Sequence, residues 1–314
     1  MIKLIRQRLF QLIPILIGIT VVSFLMMKLT SADAIDRMYQ MTESVVSESV
    51  KASQRKELYL DQPLVTQYIR WMKELLTGNL GFSFISKRPV VEIFLEKLPS
   101  TMNLCLFSLG VTLLVSIPIG IFSALNANRL PDYVVRILAL FGNAMPNFFV
   151  AIILIYIFGL KLGWFPIINV SRVNQSVILP GLTLAISMSS KYVKQIRIFT
   201  LDELNKEYVV GALARGVPMK QVLRSSVLKS VAFSLLSLVS ISFGSLLGGT
   251  AVVETIFMLD GVGKMAIDAI RMSDMPIIQA YVIWMTLIFV GVHLLVDILY
   301  YYLDPRVRLQ GVKG

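Results

Sequence analysis

Long uncharged stretches alternate with charged segments along the whole chain. Six stretches lack Asp, Glu, Lys and Arg and are mostly apolar, and they cover residues 9–27, 98–128, 137–160, 173–190, 230–253 and 275–296. A helix needs about 20 such residues to cross the hydrocarbon of a bilayer. The pattern therefore predicts an all-α, polytopic membrane protein with six transmembrane helices, of which the fourth is only marginally long enough.

The distribution of Lys and Arg predicts which way the spans run. Six spans place both termini on one side of the membrane, and the ends and loops on that side carry 16 Lys and Arg residues against 4 in the two short loops opposite. Short loops rich in Lys and Arg stay in the cytoplasm. We therefore expect a multi-pass protein of the cell membrane with both termini cytoplasmic.

This topology divides the chain into three parts. Residues 1–27 form an N-terminal segment with the first span, residues 28–97 form an extracytoplasmic segment, and residues 98–314 form a five-span core with a cytoplasmic loop at about 191–229. Residues 1–27 also resemble a secretory signal peptide, because basic residues precede an apolar run, but this run is longer than the apolar core of such a signal. The extracytoplasmic segment has helical spacing at Leu64, Tyr68, Trp71 and Leu75. It is either a cap over the spans or a docking surface.

Composition excludes several function classes. The chain is 56% hydrophobic and 16% charged with a mean hydropathy of +0.73, which is typical of a membrane protein. One cysteine, Cys105, excludes a disulfide scaffold, and one histidine, His293, leaves too few ligands for a metal cage. We expect no catalytic residues, no metal site and no cofactor on this chain. A proton relay through His293 and Asp297 is the alternative interpretation of these polar residues in the last span.

The cytoplasmic loop has an unusual pattern. It carries eight basic and three acidic residues. Thr200 and Glu203 have the spacing of a capping box, Gly216 is suited to stop a helix, and Pro218 cannot continue one. The sequence predicts a helix-turn-helix on the cytoplasmic face, with a second helix over 219–229. It either contacts anionic headgroups or docks a partner.

The first half of this loop carries a resemblance to a known family. The stretch Glu-Tyr-Val-Val-Gly-Ala-Leu-Ala-Arg-Gly at 207–216 resembles the coupling motif of ABC importer permeases of the dipeptide, oligopeptide and nickel uptake family. Matching motifs lie along most of the chain, at 6–9, 60–68, 81–90, 98–101, 145–149, 248–257, 261–263, 276–280 and 303–306. The chain departs from the family pattern near Val210, at Ser234 and at Leu259-Asp260.

The resemblance implies a fold, a set of partners and a site. It implies a type I ABC importer permease that pairs with a second homologous permease, two cytoplasmic ATPase subunits and an extracytoplasmic substrate-binding protein. ATP and magnesium would bind the ATPases, so this chain is not itself an enzyme. The residues that would contact an ATPase are Glu207, Tyr208, Gly211, Ala212, Ala214, Arg215 and Gly216.

The substrate implied by the resemblance is nickel in chelated form, because the motifs at 83–84, 88–90, 129–132 and 145–149 look closest to nickel permeases. Dipeptides or oligopeptides are the alternative within the family. A self-contained secondary transporter or channel is the alternative outside it, but such a protein would need intramembrane charges that the spans lack.

Small polar residues mark the fifth span as a candidate pathway. Serine and glycine recur every three or four positions at Ser234, Ser237, Ser240, Gly244, Ser245 and Gly248. Such a stripe either lines a translocation pathway or lets helices pack closely. The sequence leaves both interpretations open.

Overall fold

A computed structural model describes residues 2–30, 47–57, 61–165 and 176–303. Within these ranges the chain is helical, and β-type pairing is limited to an isolated bridge between Phe82 and Pro89. The prediction of an all-α protein is confirmed for the described part of the chain.

The helices are numbered in chain order. They are α1 (Ile2–Thr30), α2 (Glu48–Glu57), α3 (Leu64–Leu76), α4 (Val90–Leu125), α5 (Leu130–Ala144), α6 (Asn147–Leu154), α7 (Ile178–Leu204), α8 (Glu207–Ala214), α9 (Met219–Val222), α10 (Leu228–Ile256), α11 (Val262–Arg271) and α12 (Met275–Leu303). Two π-helical segments extend this set. Ile155–Lys161 continues α6, and Leu223–Val227 joins α9 to α10.

Three described helical stretches are long and apolar enough to cross a bilayer. They are Val90–Leu125, Met219–Ile256 and Met275–Leu299, and they contain the predicted second, fifth and sixth spans. The apolar part of α1, Leu12–Met26, coincides with the predicted first span but is shorter. The predicted fourth span begins outside the described residues and continues into α7. The protein is thus a multi-pass membrane protein, and the count of six spans stays a prediction.

The predicted third span is interrupted. Helix α5 ends at Ala144, and α6 starts at Asn147 after a break at Met145 and Pro146. The two helices are bent by 100° there, counting the π-helical end of α6. Proline holds the residue before it in an extended conformation, and Met145 has φ −73° and ψ 127°. The sequence predicted a span over 137–160 without this bend, because the apolar pattern outweighed the proline.

The described chain divides into two compact units. One comprises the described residues within 100–264 and 291–303, and the other comprises those within 2–99 and 265–290. In the first unit, α7 is closely approached by its neighbours at glycines. A Cβ on Gly120 of α4 would lie 2.7 Å from the side chain of Ile196, and one on Gly142 of α5 would meet Ser190. Small residues at such contacts let helices pack backbone to backbone.

The second unit is held by aromatic and polar contacts. The predicted amphipathic helix at 64–75 is confirmed as α3, whose Tyr68 hydroxyl lies 3.0 Å from that of Thr20 in α1. At the start of α12, the buried Asp274 carboxylate accepts hydrogen bonds from Ser83 Oγ at 2.5 Å and from the Phe84 amide at 3.1 Å. The Ser83-Phe84 motif thus forms a turn that is fixed by a distant carboxylate.

Candidate functional site

The segment that the sequence predicts to be a cytoplasmic docking site lies between α7 and α10. Helix α7 ends at Leu204, and α8 begins only three residues later at Glu207. Lys206 is extended, with φ −70° and ψ 142°, and starts α8 without a side-chain cap. Thr200 and Glu203 therefore lie in the last turns of α7 instead of starting a helix, and the predicted capping box is wrong.

Helix α8 has one buried and one exposed face. Val209 is fully buried, and Ala212 and Leu213 pack against the same apolar cluster. This cluster consists of Tyr192, Ile196, Val209, Val222, Val227, Val231 and Leu235. On the other face, Glu207 and Ala214 are exposed and Gly211 between them is partly exposed, with spacings of four and three residues. Residues so spaced share one side of a helix. On α8 this side has the small residues Gly211 and Ala214, and the negative charge of Glu207 lies at its start.

The turn after α8 has the geometry that the sequence predicted. Gly216 has φ +85°, its amide donates to the Leu213 carbonyl at 2.9 Å, and the Val217 amide donates to the Ala212 carbonyl at 3.2 Å. This pair of hydrogen bonds is a Schellman motif, which favours glycine at its left-handed position. Gly216 is the helix stop, and the exposed Arg215 lies directly before it.

The second predicted helix of the pair is not separate. Pro218 caps α9, which passes through the π-helical turn Leu223–Val227 into α10. Met219–Ile256 is one helical run of 38 residues. The helix-turn-helix interpretation was wrong in this half, because no residue after Met219 stops the helix. The turn at Gly216 and Pro218 thus joins α8 directly to the candidate pathway helix.

A buried carboxylate connects three helices at this place, and sequence reasoning missed its role. Glu203 is 5% exposed, and it accepts hydrogen bonds from Lys206 Nζ at 2.7 Å, from the Tyr208 hydroxyl and from the Ser230 hydroxyl. Burial alone raises the pKa of Glu203, but the hydrogen bonds from Lys206, Ser230 and Tyr208 outweigh it, so the pKa lies below its usual value. The carboxylate is therefore ionised at neutral pH.

A second buried carboxylate fixes the same end of α7. Asp132, at the start of α5, accepts hydrogen bonds from Arg197 Nε at 2.7 Å and from Arg197 Nη2 at 2.8 Å. Ser123 Oγ and the Asn128 amide also donate to it, at 2.6 and 2.9 Å. Two-pronged arginine contacts of this kind are among the strongest polar contacts in proteins. The sequence signal for the Asp132–Arg197 pair was weak: Asp132 is the single acidic residue of a loop whose other charged residues are Arg129 and Arg136.

The candidate pathway residues on α10 differ in how far they are exposed. Ser237, Ser245 and Gly248 are exposed, while Ser240 is buried. Ser234 and Gly244 are partly exposed. The stripe read from the sequence is therefore divided, with one part open in the single chain and one part packed within it.

The glycine-rich stretch before α11 is a packing element. Glu254 is fully buried, and it accepts hydrogen bonds from Thr101 Oγ1 and from the Lys264 amide, both at 2.8 Å. A Cβ on Gly261 would lie 2.7 Å from Thr101 Oγ1 and would overlap the Glu254 carboxylate. The absence of a side chain at Gly261 therefore lets the backbone pass close to the Glu254 carboxylate.

Among the described residues, no group of three or more His, Cys, Asp and Glu side chains could hold a metal ion. Cys105 is buried within α4, and His293 lies partly exposed in α12.

Comparison with known protein families covers almost the whole chain. Residues 116–309 match the model of the family described as binding-protein-dependent transport system inner membrane component. Residues 1–105 match the model of the N-terminal part of such membrane components. All the helices of the candidate site lie within the first match.

Individual relatives and solved structures agree with this match. The chain is 34% identical over 313 residues to the nickel import system permease protein NikB of Staphylococcus aureus strain MRSA252, covering 98% of this chain and 93% of the relative. The protein of the same name from strain USA300 is 33% identical with the same coverage. An inward-facing structure of the MetNI methionine ABC transporter matches with a TM-score of 0.56 at 12% identity, over 67% of this chain and 95% of the other. This last likeness concerns the fold alone.

Proposed function

Because the chain belongs to the family of binding-protein-dependent transport system inner membrane components, and is thus an ABC importer permease subunit, we propose that it carries nickel across the membrane. In this proposal an extracytoplasmic binding protein delivers the nickel in chelated form. A second homologous permease completes the pathway, and two ATPase subunits that bind ATP and magnesium drive it from the cytoplasm.

The observation that carries the coupling part of the proposal is the exposed face of α8. An apolar cluster fixes one side of this helix, a Schellman turn fixes its end, and the opposite side presents Glu207, Gly211 and Ala214. Small side chains allow close approach of a partner, and charges at the rim guide it. Tyr208, Ala212, Arg215 and Gly216 complete the proposed ATPase contact.

Copurification tests this contact. The chain carries an affinity tag and is expressed with the ATPase and permease genes of its own transport system. We expect ATPase subunits to be recovered with the wild-type chain and to be lost with Gly211→Trp, because a large side chain would hold the partner away from α8. The matched control is Gly110→Trp, at an open position of α4 outside the segment. Recovery of ATPases with Gly211→Trp at wild-type levels would contradict the proposal.

Orientation is a separate part of the proposal. With both termini in the cytoplasm, the α2 residue Ser53 lies outside and Ser225 lies inside, and both are exposed. Single cysteines at these positions, in a Cys105→Ala background, report the side through a membrane-impermeant thiol reagent. We expect labelling of Ser53→Cys alone in intact cells and of both after lysis. The reverse pattern in intact cells would overturn the topology.

The substrate part of the proposal is supported by the relatives, which are named as nickel import permeases. A pathway must bind its cargo weakly enough to release it, and a cage of imidazole and thiolate would hold Ni²⁺. The exposed Ser237, Ser245 and Gly248 of α10 offer weak oxygen contacts, and we propose that this face lines the pathway. Such contacts suit a metal that arrives already coordinated.

Uptake in cells that lack this subunit decides between nickel and peptides. We expect uptake of ⁶³Ni²⁺, supplied with an amino-acid chelator, to fall to background in the deletion strain and to return with the wild-type gene. Uptake of a labelled dipeptide is expected to stay unchanged. Loss of dipeptide uptake with unchanged ⁶³Ni²⁺ uptake would replace nickel by peptides and leave the permease assignment standing.

A further inference from the structure

Glu203 is the place where three helices meet at the cytoplasmic segment. It lies in the last turn of α7. Its carboxylate accepts one hydrogen bond from the Tyr208 hydroxyl in the first turn of α8 and another from the Ser230 hydroxyl in the first turn of α10. A single side chain thus connects the helix proposed to contact the ATPase with the helix proposed to line the pathway.

The surrounding contacts do not provide this connection on their own. The apolar cluster that joins Val209 of α8 to Val231 and Leu235 of α10 is buried. Apolar contacts are non-directional, so they specify the relative position of two helices less precisely than hydrogen bonds do. Hydrogen bonds to a carboxylate are directional and strong, and they hold the relative position of the groups that donate to them.

The backbone between α8 and α10 is less regular than the two helices that it joins. It contains the Gly216 turn and the π-helical turn Leu223–Val227, which interrupts the regular hydrogen bonding between α9 and α10. A π-helical turn is often found where a helix adjusts at a functional site. The Glu203 carboxylate provides a second connection from α8 to Ser230 that bypasses both of these turns.

We propose that Glu203 is the positioning residue that transmits displacement of α8 to α10, through its simultaneous hydrogen bonds with Tyr208 and Ser230. The inference rests on the proposed function, since it presumes that α8 moves with an ATPase. It assigns a role to a residue outside the family-like motif at 207–216. Lys206 is the minor partner, because its side chain is 50% exposed and exposed ion pairs contribute little.

The bridge and the charge of Glu203 can be separated by substitution. In Glu203→Gln, the amide can still accept a hydrogen bond from one hydroxyl and donate one to the other, so the bridge remains while the charge is lost. In Glu203→Ala, both are lost. The neighbouring Asp202→Asn is the matched control, since it removes an exposed carboxylate from the same turn of α7.

The experiment measures uptake per ATP hydrolysed by the complete importer in proteoliposomes, with ⁶³Ni²⁺ and an amino-acid chelator as the probe. We expect Glu203→Ala to lower this ratio at least about tenfold while ATP hydrolysis continues, because the variant loses the hydrogen bonds from both Tyr208 and Ser230, and one charge-assisted hydrogen bond alone is worth about tenfold. Glu203→Gln is expected to stay within about twofold of the wild type, and Asp202→Asn is expected to match it. A role in folding alone would lower the amount of complex, and it would leave the ratio unchanged.

A cycle of milder variants covers the case in which Glu203→Ala does not assemble. Tyr208→Phe and Ser230→Ala each remove one hydroxyl from the bridge. If the bridge transmits displacement, either change breaks it, and the double variant has a ratio no lower than the lower single variant. Effects that multiply in the double variant would overturn the inference.

The outcomes separate the inference from the proposed function. A wild-type ratio in Glu203→Ala, or a tenfold loss in Glu203→Gln, overturns the inference and leaves the importer assignment standing. If the wild-type importer takes up neither ⁶³Ni²⁺ nor a labelled dipeptide with ATP, the proposed function fails and the inference fails with it.

Discussion

The turn at Gly216 gives the sharpest test of the cytoplasmic segment. Gly216 has φ +85°, and a Cβ added there would have no neighbour within 4 Å. Substitution therefore introduces backbone strain without a steric clash. A β-branched residue in this region costs about 2 kcal/mol, within the range of roughly 1–3 kcal/mol for strained backbone. That energy changes the population of the native turn about thirtyfold wherever a relaxed turn is available.

We expect Gly216→Val to insert into the membrane normally and to lose most of its uptake, because a relaxed turn would change the direction in which α8 leaves α9 and α10. Gly216→Asn should retain uptake, since asparagine tolerates the left-handed conformation better than other side chains. The assay is ⁶³Ni²⁺ uptake at matched expression, with thermal unfolding of the purified chain as the measure of strain.

The chain contains a matched control for strain alone. Gly78 has φ +81°, has open space around it, and ends α3 in the same Schellman geometry, with amides of Gly78 and Asn79 donating to Leu75 and Glu74 at 3.0 Å. Gly78→Val should lower the melting temperature by a similar few degrees while uptake stays near the wild type. Equal uptake by Gly216→Val and Gly78→Val would refute the assignment of the Gly216 turn to coupling.

Three further predictions follow from the polar contacts and the close packing. Glu207→Lys and Arg215→Glu should each weaken copurification of the ATPases, most clearly at low salt, and unchanged recovery would contradict a charged rim on the α8 contact. Arg197→Ala leaves the buried Asp132 carboxylate without its main partner and should destabilise the chain by about 3–5 kcal/mol in the thermal assay. Arg70→Ala breaks only an exposed ion pair with Glu74 and should change stability by less than about 0.5 kcal/mol in the same assay. Gly261→Ala should cost about 1–3 kcal/mol by crowding Glu254 and Thr101, while Gly110→Ala, at an open helical position, should be neutral or slightly stabilising; equal melting temperatures would argue against the close contact.

Features set by neighbouring residues could be predicted from the sequence. The helix at 64–75 followed from the spacing of its apolar residues, and the stop at Gly216 followed from a glycine and a proline two residues apart. Both depend on local backbone preferences and on contacts within one or two turns. The all-α class likewise followed from the length and apolarity of individual stretches.

Features set by competition between signals could not be predicted. Pro146 was visible inside the third span, but the apolar residues around it dominated the pattern and hid the 100° bend. The helix after Pro218 was predicted to end at 229, yet the basic residues there are accommodated on exposed positions and the helix continues to Ile256. In each case the hydrophobic pattern located the helix and misjudged where it ends.

The polar contacts of the site lie furthest from sequence reasoning, because their partners are distant in the chain. Arg197 and Glu203 are six residues apart on α7, yet one binds Asp132 and the other binds Ser230. Both contacts lie in the C-terminal part of α7, with Ile196 packed against Gly120 nearby. Because a buried ion pair and close glycine contacts hold α7 to α4 and α5, we expect α7 to be the stiffer element beside α8. If α8 moves with an ATPase, its displacement should then be passed to α10 and not be dissipated in α7. Loss of Arg197 should therefore reduce coupling as well as stability.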